Sequence, residues 1–192
     1  MLSPNFRKLI APQAKALGVI WFAFLTATII YVVLAWVIFG QGAEPALAPA
    51  EDQGLGSSTL TGLGMMMIVV LGFGATIYQR KMLDEAVLRA KVSDDPVWPP
   101  ADSRSNFTLG AEGTAVYEQL SEADKRTASL WPHYQTTMIV VWALLEGLAV
   151  VGMVLCFMQR DFMVVVPFAL AAVLMLLLKR PRPGQFFANV RV

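Results

Sequence analysis

The sequence predicts an all-α integral membrane protein, a four-helix bundle with both termini cytoplasmic. Three observations predict it. Four apolar runs reach or approach the roughly 20 residues that a helix needs to cross a bilayer. Charged residues make up 15% of the chain, against about 25% in soluble domains. Lysine and arginine are also distributed unevenly between the segments that link the runs.

Residues 1–16 form an N-terminal segment with Arg7, Lys8 and Lys15. The first apolar run, 17–39, is about 23 residues long, beyond the 7–15 of a signal-peptide core, so it is expected to be a retained helix. Residues 40–59 form a loop without lysine or arginine that carries Glu44, Glu51 and Asp52. The second run, 60–78, is rich in glycine and methionine. The third, 136–158, is apolar apart from Glu146 and its end residues. A turn at 159–161 makes the third and fourth runs a tight antiparallel hairpin. The fourth run, 162–178, is short and contains Pro167, which is expected to bend it and free a carbonyl. In lipid all four must be helices, because every backbone polar group needs an internal partner.

Basic residues concentrate in 1–16, in the central loop 79–135 and in the tail 179–192. The loop 40–59 has none and the turn at 159–161 only Arg160. By the positive-inside rule the termini and the central loop are cytoplasmic. Trp36 and Phe39 then fall at the outer interface, and Tyr78, Trp131 and Tyr134 at the inner one, where aromatic rings gather.

The central loop is expected to hold two helices. One continues the second run through Tyr78 to Ala90, with Met82, Leu83, Ala86 and Val87 on one stripe. Pro96, Pro99 and Pro100 end it. The other covers Glu112 to Leu130 and is amphipathic. The basic tail, with Phe186 and Phe187, suits anionic head groups or docking to a neighbour.

Glu146 is the main candidate site. An ionisable group at mid-bilayer costs about 2.5–3.5 kcal/mol on insertion scales, so it usually has a purpose. No spanning segment holds lysine or arginine. Glu146 is therefore either neutral or completed by a cation or polar group on another subunit. Thr26 and Thr28 lie at similar depth and are candidate hydrogen-bond partners. The bland alternative is an acid that fixes helix packing. Gly62, Gly64, Gly72, Gly74 and Gly147, with Ala143, allow helix backbones to approach closely, in this chain or in a homo-oligomer.

Other residues offer less chemistry. Met65, Met66 and Met67 face different sides of a helix and cannot converge on one metal. The single cysteine, Cys156, reads as a small buried apolar residue. The single histidine, His133, excludes a bis-histidine haem within this chain and reads as an interfacial anchor, or as the border of a lipid or quinone. No nucleophile motif or phosphate loop is present, so no enzyme, catalytic residue, metal or cofactor is expected, and a bound lipid is the one small ligand allowed. The net charge of +1 gives no reason to expect nucleic acid. Expected partners are membrane lipid and other membrane subunits.

Two resemblances rest on the third helix. WALLEGLAVVGMVL, with LLLKRPRP at the close of the fourth helix and YVVLAWVI in the first, resembles an uncharacterised family of small bacterial four-helix inner-membrane proteins with a glutamate in helix three. That implies a bacterial inner-membrane protein and no particular activity. The same segment is similar to the ion-binding helix of rotary ATPase c subunits, which implies an ion-binding role for Glu146. The function expected is a non-enzymatic accessory or structural subunit of a larger bacterial inner-membrane complex. The alternative is a proton- or cation-translocating component using Glu146.

Overall fold

The computed structural model describes residues 3–40, 56–92 and 116–190. The proline-rich break at 94–100, the acids of the loop after the first run, and residues 112–115 lie outside the described residues. The described chain is helical, and no strand occurs in it. Three helices are long and apolar enough to cross a membrane, or four if the last long helix is counted with the short one after it.

Helix α1 spans Pro4–Ala35 and continues as a π-turn, Trp36–Gly40. It starts well before the first apolar run. Ser3 caps it by accepting from the Phe6 amide at 3.2 Å, and Pro4 occupies the first helical position, where a missing N–H costs nothing. Helix α2 spans Gly56–Met82. It does not run on to Ala90 as expected. Asp84 adopts an extended conformation and accepts from the Ala86 amide, starting a separate helix α3, Glu85–Lys91.

The expected amphipathic helix up to Leu130 is broken in the same way. Ser121 accepts from the Asp124 amide and begins α4, Glu122–Ala128. Helix α5, Trp131–Gln159, holds the third apolar run. At the following turn Arg160 takes φ 54°, and Asp161 accepts from the Met163 amide at 2.9 Å. A 3-10 turn, Phe162–Val164, leads into α6, Val165–Leu178. Pro167 is thus the third residue of α6, where the amide would lack an intrahelical partner anyway, so it marks a start rather than the expected bend. Helix α7, Pro183–Asn189, closes the chain.

The described residues belong to two compact units. One draws on Met1–Ile20, Gln79–Ile139 and Pro181–Val192. Its centre is aromatic. Phe187 packs edge-on against Phe6 at 5.6 Å and stacks on Trp131 at 5.8 Å, while Phe186 stacks on Tyr134 at 4.6 Å. Tyr134 Oη accepts from the Arg182 amide at 3.2 Å. The tail therefore docks on its own chain. Trp131 and Tyr134, expected at a membrane interface, are buried in this cluster. Phe6, Leu9, Ile10 and Leu17 present the buried stripe of α1 to the unit. Ser3 Oγ donates to Asp124 Oδ2 at 2.7 Å, tying the start of α1 to α4. His133 Nε2 lies 2.7 Å from the Met82 carbonyl at the end of α2.

The other unit draws on Trp21–Tyr78 and Val140–Arg180. Its buried positions include many small residues, Thr28, Ala35, Gly64, Gly72, Ala75, Ala149, Gly152, Cys156, Ala169 and Ala172, packed around large ones such as Trp142, Leu148 and Phe168. Its exposed positions are large and apolar, including Phe22, Val33, Met66, Phe73, Val154 and Leu170. That pattern suits helices whose outer faces meet lipid. Met65, Met66 and Met67 are all exposed on α2.

Candidate functional site

Glu146 is the sixteenth residue of α5, close to its midpoint. At about 1.5 Å per residue it lies roughly 20 Å along the axis from either end. Its flanking residues Leu145 and Leu148 are buried, and Glu146 itself is half-buried. Tyr31 of α1 donates its hydroxyl to Glu146 Oε1 at 3.1 Å. This is the only hydrogen bond to the carboxyl among the described residues.

The two threonines are placed otherwise. Thr26 Oγ1 donates to the Phe22 carbonyl at 2.9 Å and Thr28 Oγ1 to the Phe24 carbonyl at 3.1 Å. Short hydroxyls inside an apolar helix find the carbonyl one turn back before anything on a neighbouring helix. Tyr31, one turn beyond Thr28, carries its oxygen on a long rigid ring and can cross the gap. Its signal was in the sequence: a tyrosine in the interior of an apolar run, away from the ends where aromatic belts form.

Glu146 takes part in no ion pair among the described residues. The two ion pairs among the described residues, Arg89–Glu85 and Lys125–Glu122, belong to the aromatic unit. No group of three histidine, cysteine or acidic residues that could hold a metal occurs among the described residues. Chemically, a phenol on a carboxyl can act as a hydrogen-bonded clasp between α1 and α5. It also places two groups that can exchange a proton side by side.

No family model, curated protein or solved structure matches the chain.

The glycines divide into two sets. A Cβ on Gly64 would lie 2.5 Å from Leu155 Cδ1 and 2.7 Å from Phe168 Cζ, and one on Gly72 would lie 2.6 Å from Met175 Cε. Both mark a close approach of α2 to its neighbours. Gly62 and Gly74 have nothing within 4 Å of that position, and Gly147 has only Leu71 at 3.9 Å. Gly152, which the spacing argument did not single out, is the tightest against a fixed atom, with Phe168 Cβ at 2.5 Å. Phe168 of α6 thus fits between Gly64 of α2 and Gly152 of α5. Cys156 is buried beside Ala35 and Val165.

Proposed function

We propose that the chain is a non-enzymatic accessory or structural subunit of a larger complex of the bacterial inner membrane. In this reading it is a four-helix bundle with both ends and the central loop cytoplasmic. The observation that carries the proposal is how little the first two spans bury within the chain. Their most apolar windows are 11% and 17% buried, against 44% for the third. On α2, Gly62 and Gly74 stand open with no neighbour within 4 Å. Bare glycines on an outward face let another helix come close. The orientation rests on the distribution of lysine and arginine.

The test is extraction of the intact protein in mild detergent. Stable copurification with the same membrane partners, lost when Gly62 and Gly74 are replaced by Leu, is the expected result. A well-behaved isolated monomer with its own transport activity overturns the reading. A reporter fused at Gln53 that labels from the cytoplasm overturns the orientation alone.

A second reading, proton or cation translocation through Glu146, is favoured by the Tyr31–Glu146 contact, which sets a half-buried acid beside a phenol at mid-helix. It predicts that Glu146→Gln keeps assembly and abolishes ion flux, and that a carbodiimide labels Glu146 in a pH-dependent manner. Unchanged flux in the Gln variant rejects it.

A further inference from the structure

The end of α6 is closed in an unusual way. The last carbonyls of an α-helix lack amide partners and carry partial negative charge. Here Lys179 N donates to the Met175 carbonyl at 2.9 Å and Arg180 N to the Leu177 carbonyl at 3.4 Å. Two tryptophans from other helices add to this. Trp21 Nε1 of α1 donates to the Leu176 carbonyl at 2.9 Å, and Trp142 Nε1 of α5 donates to the Lys179 carbonyl at 3.0 Å. The Met175, Leu176, Leu177 and Lys179 carbonyls, which would otherwise attract a nearby cation, are thus engaged.

Arg180 is therefore left facing outward. Its guanidinium lies over the Trp21 ring, 5.8 Å from the centroid, and the residue is exposed. It takes part in neither ion pair among the described residues. The described part of this unit has only two acids. Glu146 is at mid-helix, and Asp161 is at the opposite end of α6, capping Met163. Next to Arg180, the last turn of α6 exposes Leu174, Leu177 and Leu178, and α1 exposes Phe22 one residue after Trp21.

We propose that Arg180, held over Trp21 at the end of α6, is a binding site for the phosphate of an anionic phospholipid. With α6 by itself as the embedded segment, the apolar run ends at head-group level, where the group met by a guanidinium that has no ion pair among the described residues is a phosphodiester. The planar fork of arginine matches two phosphate oxygens, and its cation–π contact with the Trp21 ring uses none of its N–H donors. The exposed leucines and Phe22 give the acyl chains an apolar wall. Because both indole N–H groups are engaged by carbonyls, neither is free to read head-group hydroxyls. Recognition is then by charge, so the site prefers anionic over zwitterionic lipid and distinguishes little among anionic ones. This inference rests on α6 lying in a membrane and not on the accessory-subunit reading.

The full chain, delipidated in detergent, is titrated with phosphatidylglycerol or phosphatidylcholine, and retained lipid is read from the mass of the intact complex. The parent is expected to hold phosphatidylglycerol more tightly than phosphatidylcholine. Arg180→Gln is expected to weaken phosphatidylglycerol about fivefold, the contribution typical of one basic residue at a membrane surface. Arg160→Gln, which removes an exposed charge from the other end of α6, is expected to leave retention unchanged. Arg180→Lys keeps the charge without the planar fork and is expected to fall between parent and Gln, which serves as the test should the Gln variant fail to fold. Equal retention of the two lipids overturns the proposal. So does parent-like binding in a folded Arg180→Gln or in Arg180→Lys, or an equal loss in Arg160→Gln. Release of the lipid by excess inorganic phosphate assigns the site to free anions and overturns the lipid claim.

Discussion

The two units of this chain differ in how much their centres rely on small residues. In one, Phe6, Trp131, Tyr134, Phe186 and Phe187 interlock at the centre, and the short helices around them begin at polar caps, Asp84 and Ser121. In the other, glycine, alanine and threonine share the centre with Trp142, Phe168, Leu145 and Leu148, while many further large apolar side chains are exposed. The difference follows from what drives association. Burying an aromatic ring away from water contributes strongly to stability. Between helices in lipid that drive is absent, because the acyl chains are as apolar as leucine, and close backbone contact has to replace it. The lesson is that aromatic rings interlock in one unit, whereas in the other small residues let helices come close around a few buried large side chains.

The contrast can be broken most directly at Phe187. Phe187→Ala is expected to cost about 3–5 kcal/mol, the range for a buried Phe. The Phe186 and Val190 amides of α7, bonded to the Arg182 and Phe186 carbonyls, should lose protection in hydrogen exchange. The amides of α6 should keep theirs, and equal loss in both units would show that the division is false.

The second test addresses the small-residue unit. Gly152→Ala meets Phe168 Cβ, an atom fixed to the backbone, and is expected to cost about 1–3 kcal/mol. At about 2–4 °C per kcal/mol for a chain of this size, the loss is visible in the thermal midpoint in detergent. Gly72→Ala meets the mobile end of Met175 and should cost less. Gly74→Ala meets nothing and should gain the roughly 0.5–1 kcal/mol by which alanine exceeds glycine in a helix. If the three variants behave alike, close packing is not what holds this unit.

Two smaller effects sharpen the comparison. Ser121→Ala removes the cap of α4 and is expected to cost about 1 kcal/mol, read as faster exchange at the Asp124 amide, which bonds Ser121 Oγ. Tyr31→Phe removes the clasp on Glu146 and is expected to cost about 0.6 kcal/mol, the average for a hydrogen bond between membrane helices. A larger loss in Tyr31→Phe than in Gly152→Ala would make the polar contact, not the glycine slot, the main tie in that unit.

How much was legible can be judged at particular residues. Glu146 was visible because a lone acid in an apolar run is costly wherever the run folds. Tyr31 was not connected to it, since linear depth brings Thr26 and Thr28 just as near and only side-chain reach separates the three. Gly147 and Gly152 lie on the same helix with similar surroundings in sequence, yet only Gly152 faces Phe168. Trp131 and Tyr134 have the composition of an interfacial belt, and composition does not reveal that they form the floor on which α7 rests. Asp84 and Ser121 carry ordinary N-cap signals, and in the structure these caps prevail over the apolar stripe that runs through them.

The sequence by itself determined that the chain is helical and that three to four of its helices can span a membrane. Both follow from local quantities, the length and polarity of each run, which hold whatever the run packs against. Only the tertiary structure decided which residue meets Glu146, which glycines are closed over, where the tail docks, and that two indoles free Arg180 by closing the end of α6. These depend on the rotation of each helix about its axis. That rotation is set by contacts between residues more than a hundred positions apart, as Tyr31 and Glu146 are, and local composition does not encode it.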